Sequence, residues 1–291
     1  MRFKESTDKR RYIKLSFTEY IKENDNIRVI LSFLIPIMAV IIITAIFAVP
    51  KIIEAVNPKE KTKDFTTTYN PEIMAFSNAQ DIDYSEYPQS LIELLYRNRE
   101  TRDFVLNYPL LKDKKVKGDL SDYKNLEAVP LFMQWDKRWG YINYGNDVAG
   151  ITACGPVCLS MCAYYLTGDE SYSPDKMIKF AIDEGYCVYG NGTSWELFSK
   201  GAVDLGFDVT EIGLDKDRVI NNLEVGNPIV AIMGEGDFTT SGHFIVFSGT
   251  ENGLIKINDP NSYQRSELLW EFNDIKDQIR NLWVIRNKPE E

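Results

Sequence analysis

One thiol and one imidazole in this 291-residue chain stand in surroundings that would activate them. Cys154 lies in Thr152-Ala-Cys-Gly-Pro-Val-Cys-Leu-Ser-Met-Cys162, which reads as a loop running into a helix. Gly155 lets the backbone approach closely and sets no side chain against a substrate. Pro156 suits a first helical turn, where its missing N–H would have had no partner. Cys158, Met161, Cys162 and Tyr165 then recur at i, i+3, i+4 and i+7, one buried helix face, and Gly168 stops the helix. A thiol at a helix N-terminus sits at the positive end of the helix dipole, which favours the reactive thiolate.

A cysteine nucleophile needs a base, and the chain has a single histidine, His243. The run His243–Phe247 is apolar and rich in β-formers, so His243 opens a buried strand, and Gly242 before it leaves room for a ligand. A second strand, Leu254–Ile257, leads into Asn258-Asp259-Pro260. Gly249 and the Glu251-Asn252-Gly253 turn join the two as a hairpin. Asp259 then falls beside His243, where its carboxylate can accept a hydrogen bond from the ring and fix the tautomer. A thiol, an imidazole and an orienting carboxylate are the parts needed for acyl transfer through a thioester.

The elements that must position these groups follow from the order of the chain. Residues 1–28 carry eight Lys/Arg and five Asp/Glu and read as a cytoplasmic N-terminus. Residues 29–50 hold no charge over 22 positions, enough for a transmembrane helix, with Pro36 tolerated inside it. A cleaved signal peptide is the rival, but its apolar part would be shorter and no Ala-x-Ala site follows. Only four Lys/Arg occur in the fifteen residues after the span, so the positive-inside rule places the rest of the chain outside the cell membrane, single-pass. The total charge is −10; the first 50 residues contribute +3, which leaves −13 outside and argues against a nucleic-acid partner. Residues 51–85 read as an extracytoplasmic stalk, with the acidic run 81–87 as its ordered end. Residues 86–127 read as a helical brace: apolar positions 91, 94 and 95 give one helix, Glu100–Leu106 a second, and Tyr108-Pro109 an end. Residues 128–287 form one globular core. Helices are expected near 154–168, 173–184 and 194–205. Strands are expected near 208–212, 228–233, 243–248 and 254–257, with Leu282–Ile285 as an edge strand. Helices first and an antiparallel sheet last read as α+β.

The other cysteines allow further readings. Cys154, Cys158 and Cys162 repeat every four residues with Cys187 nearby, but neither paired Cys-x-x-Cys nor additional histidines support a metal site. A disulfide from Cys187 to one helix cysteine is compatible with an external domain. The simplest reading makes Cys158 and Cys162 small buried apolar residues.

Several separated segments together carry a resemblance. Val129–Tyr141, Ala153-Cys-Gly-Pro156, Gly192-Thr-Ser-Trp195, Gly242-His-Phe244 and Asn258-Asp-Pro260 resemble, in that order, the bacterial C39-like cysteine peptidases, papain-like folds related to the leader peptidases of bacteriocin exporters. The resemblance implies Cys154 as nucleophile, His243 as general base and acid, Asp259 as orienting group, and Gln134 as side-chain donor of an oxyanion hole. It requires no cofactor or metal. Gly155, Trp195 and Gly242 are expected to line the cleft. Ala153 stands where many relatives have Gly, and no nucleotide-binding Gly-x-x-x-x-Gly-Lys-Ser/Thr loop is present, so leader removal within an exporter is not implied. The expected whole is a papain-like α+β peptidase domain behind one transmembrane helix, hydrolysing a peptide or peptidoglycan-like amide. An inactive surface binding module, or an acyl or peptidyl transferase, is the alternative on the same fold.

Overall fold

The computed structural model describes residues 69–114, 118–124 and 127–288, all within the unit Thr66–Glu291. The expected cytoplasmic N-terminus and transmembrane helix, residues 1–50, lie outside the described residues. Among the described residues no helix is long and apolar enough to cross a membrane.

The molecule is built on a six-stranded sheet: β1 (Phe207–Ile212), β2 (Ile229–Met233), β3 (His243–Glu251), β4 (Leu254–Asn258), β5 (Leu269–Trp270) and β6 (Ile279–Asn287). All pairings are antiparallel, and the order is β1-β6-β2-β3-β4-β5. Side chains alternate between two cores, as the two-residue period of a strand requires. Val230, Ile232, Phe244, Val246, Trp283 and Ile285 face one core. Ile229, Ala231, Ile245, Phe247, Leu282 and Val284 face the other.

This alternation corrects the expectation for the C-terminal strand. It runs over Ile279–Asn287 and lies inside the sheet between β1 and β2. Leu282, Trp283, Val284 and Ile285 are apolar in succession because both faces are covered, the pattern of an internal strand.

The longer helices are α1 (Pro71–Gln80), α2 (Gln89–Arg97), α3 (Arg102–Leu106), α4 (Cys154–Thr167), α5 (Pro174–Asp183) and α6 (Lys216–Glu224); α4 and α6 pack on the sheet, and α1–α3 form a cluster of their own. The central helix α4 is buried on every side from Gly155 to Tyr164, not along one stripe, while Tyr165 is only partly buried. Gly168 closes it in the left-handed region (φ 68°), its N–H donating to Tyr164 O. Between strands, α6 covers the second core through Val219 and Leu223. The sequence reading missed it, although Asp215 caps its start by accepting from Arg218 N.

Ahead of the globular core the chain is more ordered than expected. The stalk reading does not hold for residues 71–85: Asn70 caps α1, accepting from Glu72 N and Ile73 N, and Ile73 is fully buried. The helix α3 stops at Leu106, just before Tyr108-Pro109 as expected, but Pro109 does not end the helical segment. It takes a first-turn position in a further turn, Tyr108–Leu111, which a missing N–H permits. The helix expected over 194–205 is a π-turn at Leu197–Gly201 followed by one turn, Ala202–Asp204. A Cβ at Gly201 would come 2.9 Å from the Tyr186 ring, which marks how closely this segment packs.

Candidate active site

The β3–β4 hairpin positions the imidazole and the carboxylate. Asn252 (φ 54°) and Gly253 (φ 77°) form its turn, both left-handed as a two-residue hairpin with the strands' twist prefers. Val246 pairs with Asn258, so Asp259, one residue on, lies diagonally across from His243 on the same face. The His243 ring Nε2 is 2.7 Å from Asp259 Oδ1. That leaves Nδ1 free for Cys154, whose sulfur lies close enough to the ring to be stabilised by it.

Asp259 is fully buried, and its oxygens are shared out. Oδ1 also accepts from Asn261 N at 2.8 Å, and Oδ2 accepts from Arg265 Nε at 2.6 Å. Burial would raise this carboxyl's pKa, but the His243 ring and the Arg265 guanidinium hold it below the usual range. Burial would lower the pKa of His243; the Asp259 carboxylate and the Cys154 sulfur outweigh it and raise it to about 10. Burial pushes Cys154 up, yet the imidazole, with N–H groups of Phe244 and Gly155 aimed at the sulfur, carries it below the ordinary thiol. One turn along α4, Cys158 is buried without an imidazole and is pushed well above it. The three shifts together favour thiolate, imidazolium and carboxylate in series.

Gln134 is buried beside this group. Its backbone N–H donates to Pro260 O at 2.8 Å, and Nε2 donates to Gly150 O (3.0 Å) and Ile151 O (3.2 Å), just ahead of Cys154. Its Oε1 is buried with no partner. Asn258 Nδ2 holds the carbonyls of Val129 and Pro130 at 2.9 and 3.0 Å. The three residues Asn258-Asp259-Pro260 thus fix the Val129–Gln134 segment, the His243 ring and the Gln134 backbone in turn.

Two hollows of about 770 and about 850 Å3 meet here and share Ile151, Ser241, Gly242 and His243. Gln134, Asp237 and Thr239 line the first, Cys154 and half-exposed Trp195 the second. Trp195 is held edge-on to Trp283 at 5.8 Å between centroids. A side chain at Gly242 would meet nothing within 4 Å, in keeping with an open approach. Gly155 serves a different purpose from the one expected. A Cβ there would lie 2.7–2.8 Å from three Thr193 side-chain atoms, so its smallness admits Thr193, not a substrate. Thr193 is itself buried against the Tyr144 hydroxyl at 2.8 Å. Gly155→Ala is therefore expected to cost about 1–3 kcal/mol, as overpacking does, and to displace the start of α4. Urea unfolding checks this; an unchanged midpoint would mean the contact has slack.

The family model for the Peptidase_C39 like family matches residues 126–290. The chain belongs to that family. The matched C39-like region includes Gln134, Cys154, His243 and Asp259 and begins after α1–α3. Among solved structures the chain is similar to the peptidase domain of Streptococcus ComA, a bi-functional ABC transporter involved in a quorum-sensing pathway. The identity is 19%, over 55% of this chain and 99% of that one, with TM-score 0.39. It is also similar to a protein from Bacillus anthracis described as a C39-like peptidase, at 16% identity over 61% of this chain and 100% of that one, with TM-score 0.34. No curated protein matches the chain.

The sequence reading of this C39-like chain missed Arg265. A buried carboxylate needs compensation on both oxygens, and Arg265 is the first cation after Asp259, behind a Ser262 helix cap, a signal that was legible. Cys158 and Cys162 lie fully buried in the core, and Cys154, Cys158, Cys162 and Cys187 are all free thiols.

Proposed function

We propose that this chain is a cysteine peptidase or related amide hydrolase in which Cys154, His243 and Asp259 act as a triad. One observation carries the reading: the sole imidazole is held between the thiol at the start of α4 and a fully buried carboxylate at 2.7 Å. The Cys154 thiolate attacks the substrate carbonyl carbon, and the C=O electron pair moves to oxygen. The oxyanion is met by the Cys154 N–H at the positive end of α4 and by Gln134 Nε2, which would give up its longer bond to Ile151 O. The His243 imidazolium gives its proton to the leaving nitrogen as the C–N bond breaks, and an acyl-thioester remains. Neutral His243 then takes a proton from water, whose oxygen displaces the sulfur. Asp259 stays ionised throughout and fixes the tautomer.

The setting proposed for this chemistry is the outer face of a cell membrane, anchored by residues 29–50. It is supported by 22 uncharged positions and the greater positive charge on their N-terminal side. Peptides or peptidoglycan-like amides are the substrate class.

The test is site-resolved alkylation of Cys154 by iodoacetamide in the full chain, with turnover of a peptide library alongside. Fast labelling well below the ordinary thiol pKa, and turnover lost by about 10⁴-fold in Cys154→Ala, are expected. A Cys154 that labels like a free thiol would favour the binding-module reading.

A further inference from the structure

The segment Asn98–Thr101 lies ahead of the matched family residues, yet it reaches the Asp259 carboxylate by two routes. On the first, Asn98 Nδ2 donates to Asn261 O at 2.6 Å, and Asn261 N donates to Asp259 Oδ1. On the second, Glu100 grips the single turn Tyr263–Ser266 from outside: Oε1 accepts from Ser262 Oγ at 2.8 Å and Oε2 from Tyr263 N at 2.6 Å. Ser262 Oγ also accepts from Arg265 N (3.2 Å), and Ser266 Oγ on the same turn accepts from Asp259 N (2.9 Å). The turn so held sends Arg265 inward to Asp259 Oδ2.

A one-turn helix has no cooperativity of its own and depends on such outside bonds. Arg265 is still about a quarter exposed, and the turn and its ion pair are what hold the guanidinium on Asp259. Without Arg265, Oδ2 would be a buried oxygen lacking a partner, and the carboxylate would gain by rotating away from the ring.

We propose that Glu100 and Arg265 are positioning residues for the Cys154 site, so that the helical segment preceding the family domain is a working part of the site. This rests on the triad reading above. Glu100 sets the turn, the turn aims Arg265, Arg265 holds Asp259, and Asp259 holds the His243 ring against Cys154. The charged and titratable groups facing Asp259 are His243 from β3, Arg265 from the turn and Cys158 from α4, with Glu100 behind the turn.

The test is the pH profile of Cys154 alkylation by iodoacetamide in the full chain, from about pH 4 to 9, with thermal midpoints measured in parallel. Removing the guanidinium weakens support for Asp259, the imidazolium and the thiolate alike, so the acid limb moves to higher pH. Arg265→Ala is expected to move it by about one pH unit, about a tenfold slower labelling on that limb, and Arg265→Lys to restore most of it. Glu100→Ala is expected to shift the limb the same way by less, and to add little in an Arg265→Ala background. If Glu100→Ala unfolds, Glu100→Gln, which keeps one acceptor oxygen, supplies the profile. Lowered thermal midpoints with an unmoved acid limb would overturn the proposal and leave Glu100 and Arg265 as fold supports. Failure of the triad reading shows separately, as ordinary-thiol labelling of the wild type.

Discussion

Replacing His243 with Ala is expected to turn Cys154 from the most reactive thiol of the chain into one of the least. The comparison is internal. Cys158 shares the helix of Cys154 and is more deeply buried, but has no imidazole, and its thiol is pushed well above the ordinary value. Cys154 without His243 loses the largest of the influences that hold its pKa down. An ordinary thiol is about 0.3% ionised at pH 6, and a buried one less, so Cys154 without its imidazole is almost wholly protonated there. A thiolate of lower pKa is intrinsically the weaker nucleophile, with a Brønsted slope of about 0.4–0.5, so the net loss in alkylation rate at pH 6 is at least about tenfold. Turnover should fall further, by about 10⁴-fold, because the leaving nitrogen also loses its proton donor.

The pH dependence has a definite sign. His243 is raised to about 10 and Cys154 is lowered. The ion pair therefore persists upward to about pH 10 and is lost as pH falls through the depressed pKa of Cys154. The alkylation profile of wild type against His243→Ala checks both limbs. Identical profiles would remove the imidazole from the chemistry.

Phe104→Ala is expected to be among the most destabilising single changes, at about 3–5 kcal/mol, a large share of a typical domain's stability. Phe104 is 1% exposed and stacks on Tyr141 with centroids 4.5 Å apart. Tyr141 in turn donates from its hydroxyl to Phe104 O at 2.8 Å. The ring fills the space left by two glycines: a Cβ at Gly150 would come 2.4 Å from it, and one at Gly140 2.7 Å. Removing a ring this tightly enclosed leaves a cavity among packed neighbours, which is the condition for a cost in this range. The effect should reach the site as well, because Gly150 carries the carbonyl that orients Gln134. Chemical unfolding of the full chain measures it, with Cys154 labelling as the second readout. A loss below about 1 kcal/mol would show that α1–α3 are only loosely docked.

Both variants draw on parts of the molecule that differed in how legible they were. The Cys154 helix, its Gly168 stop and the β3–β4 hairpin could be read because each is written in local signals: a capping glycine, an Asn-Gly turn and short apolar runs rich in β-formers. The internal place of β6 could not, because an apolar run of four does not say whether one face or both will be covered. The helix α6 was passed over for want of a long periodic stretch, though its Asp215 cap was present. The ordering of residues 71–85 was misread because their polar composition hides a few deeply buried contacts, Ile73 foremost.

By itself the sequence determined which groups are available: one imidazole, a thiol at a helix start and an aspartate closing a hairpin strand, while Gln134 entered only through the family resemblance. Residue type and spacing along one helix or one hairpin decide such matters, since the backbone's two periods are fixed. Only the tertiary structure decided what those groups meet. It set Arg265 on the second oxygen of Asp259, Thr193 against Gly155, and Glu100 behind the turn that carries Arg265. These contacts join residues as far apart as 163 positions. No local rule specifies a contact of that separation; it exists only once the sheet, α4 and the preceding helices have packed and left each buried polar group in need of a partner.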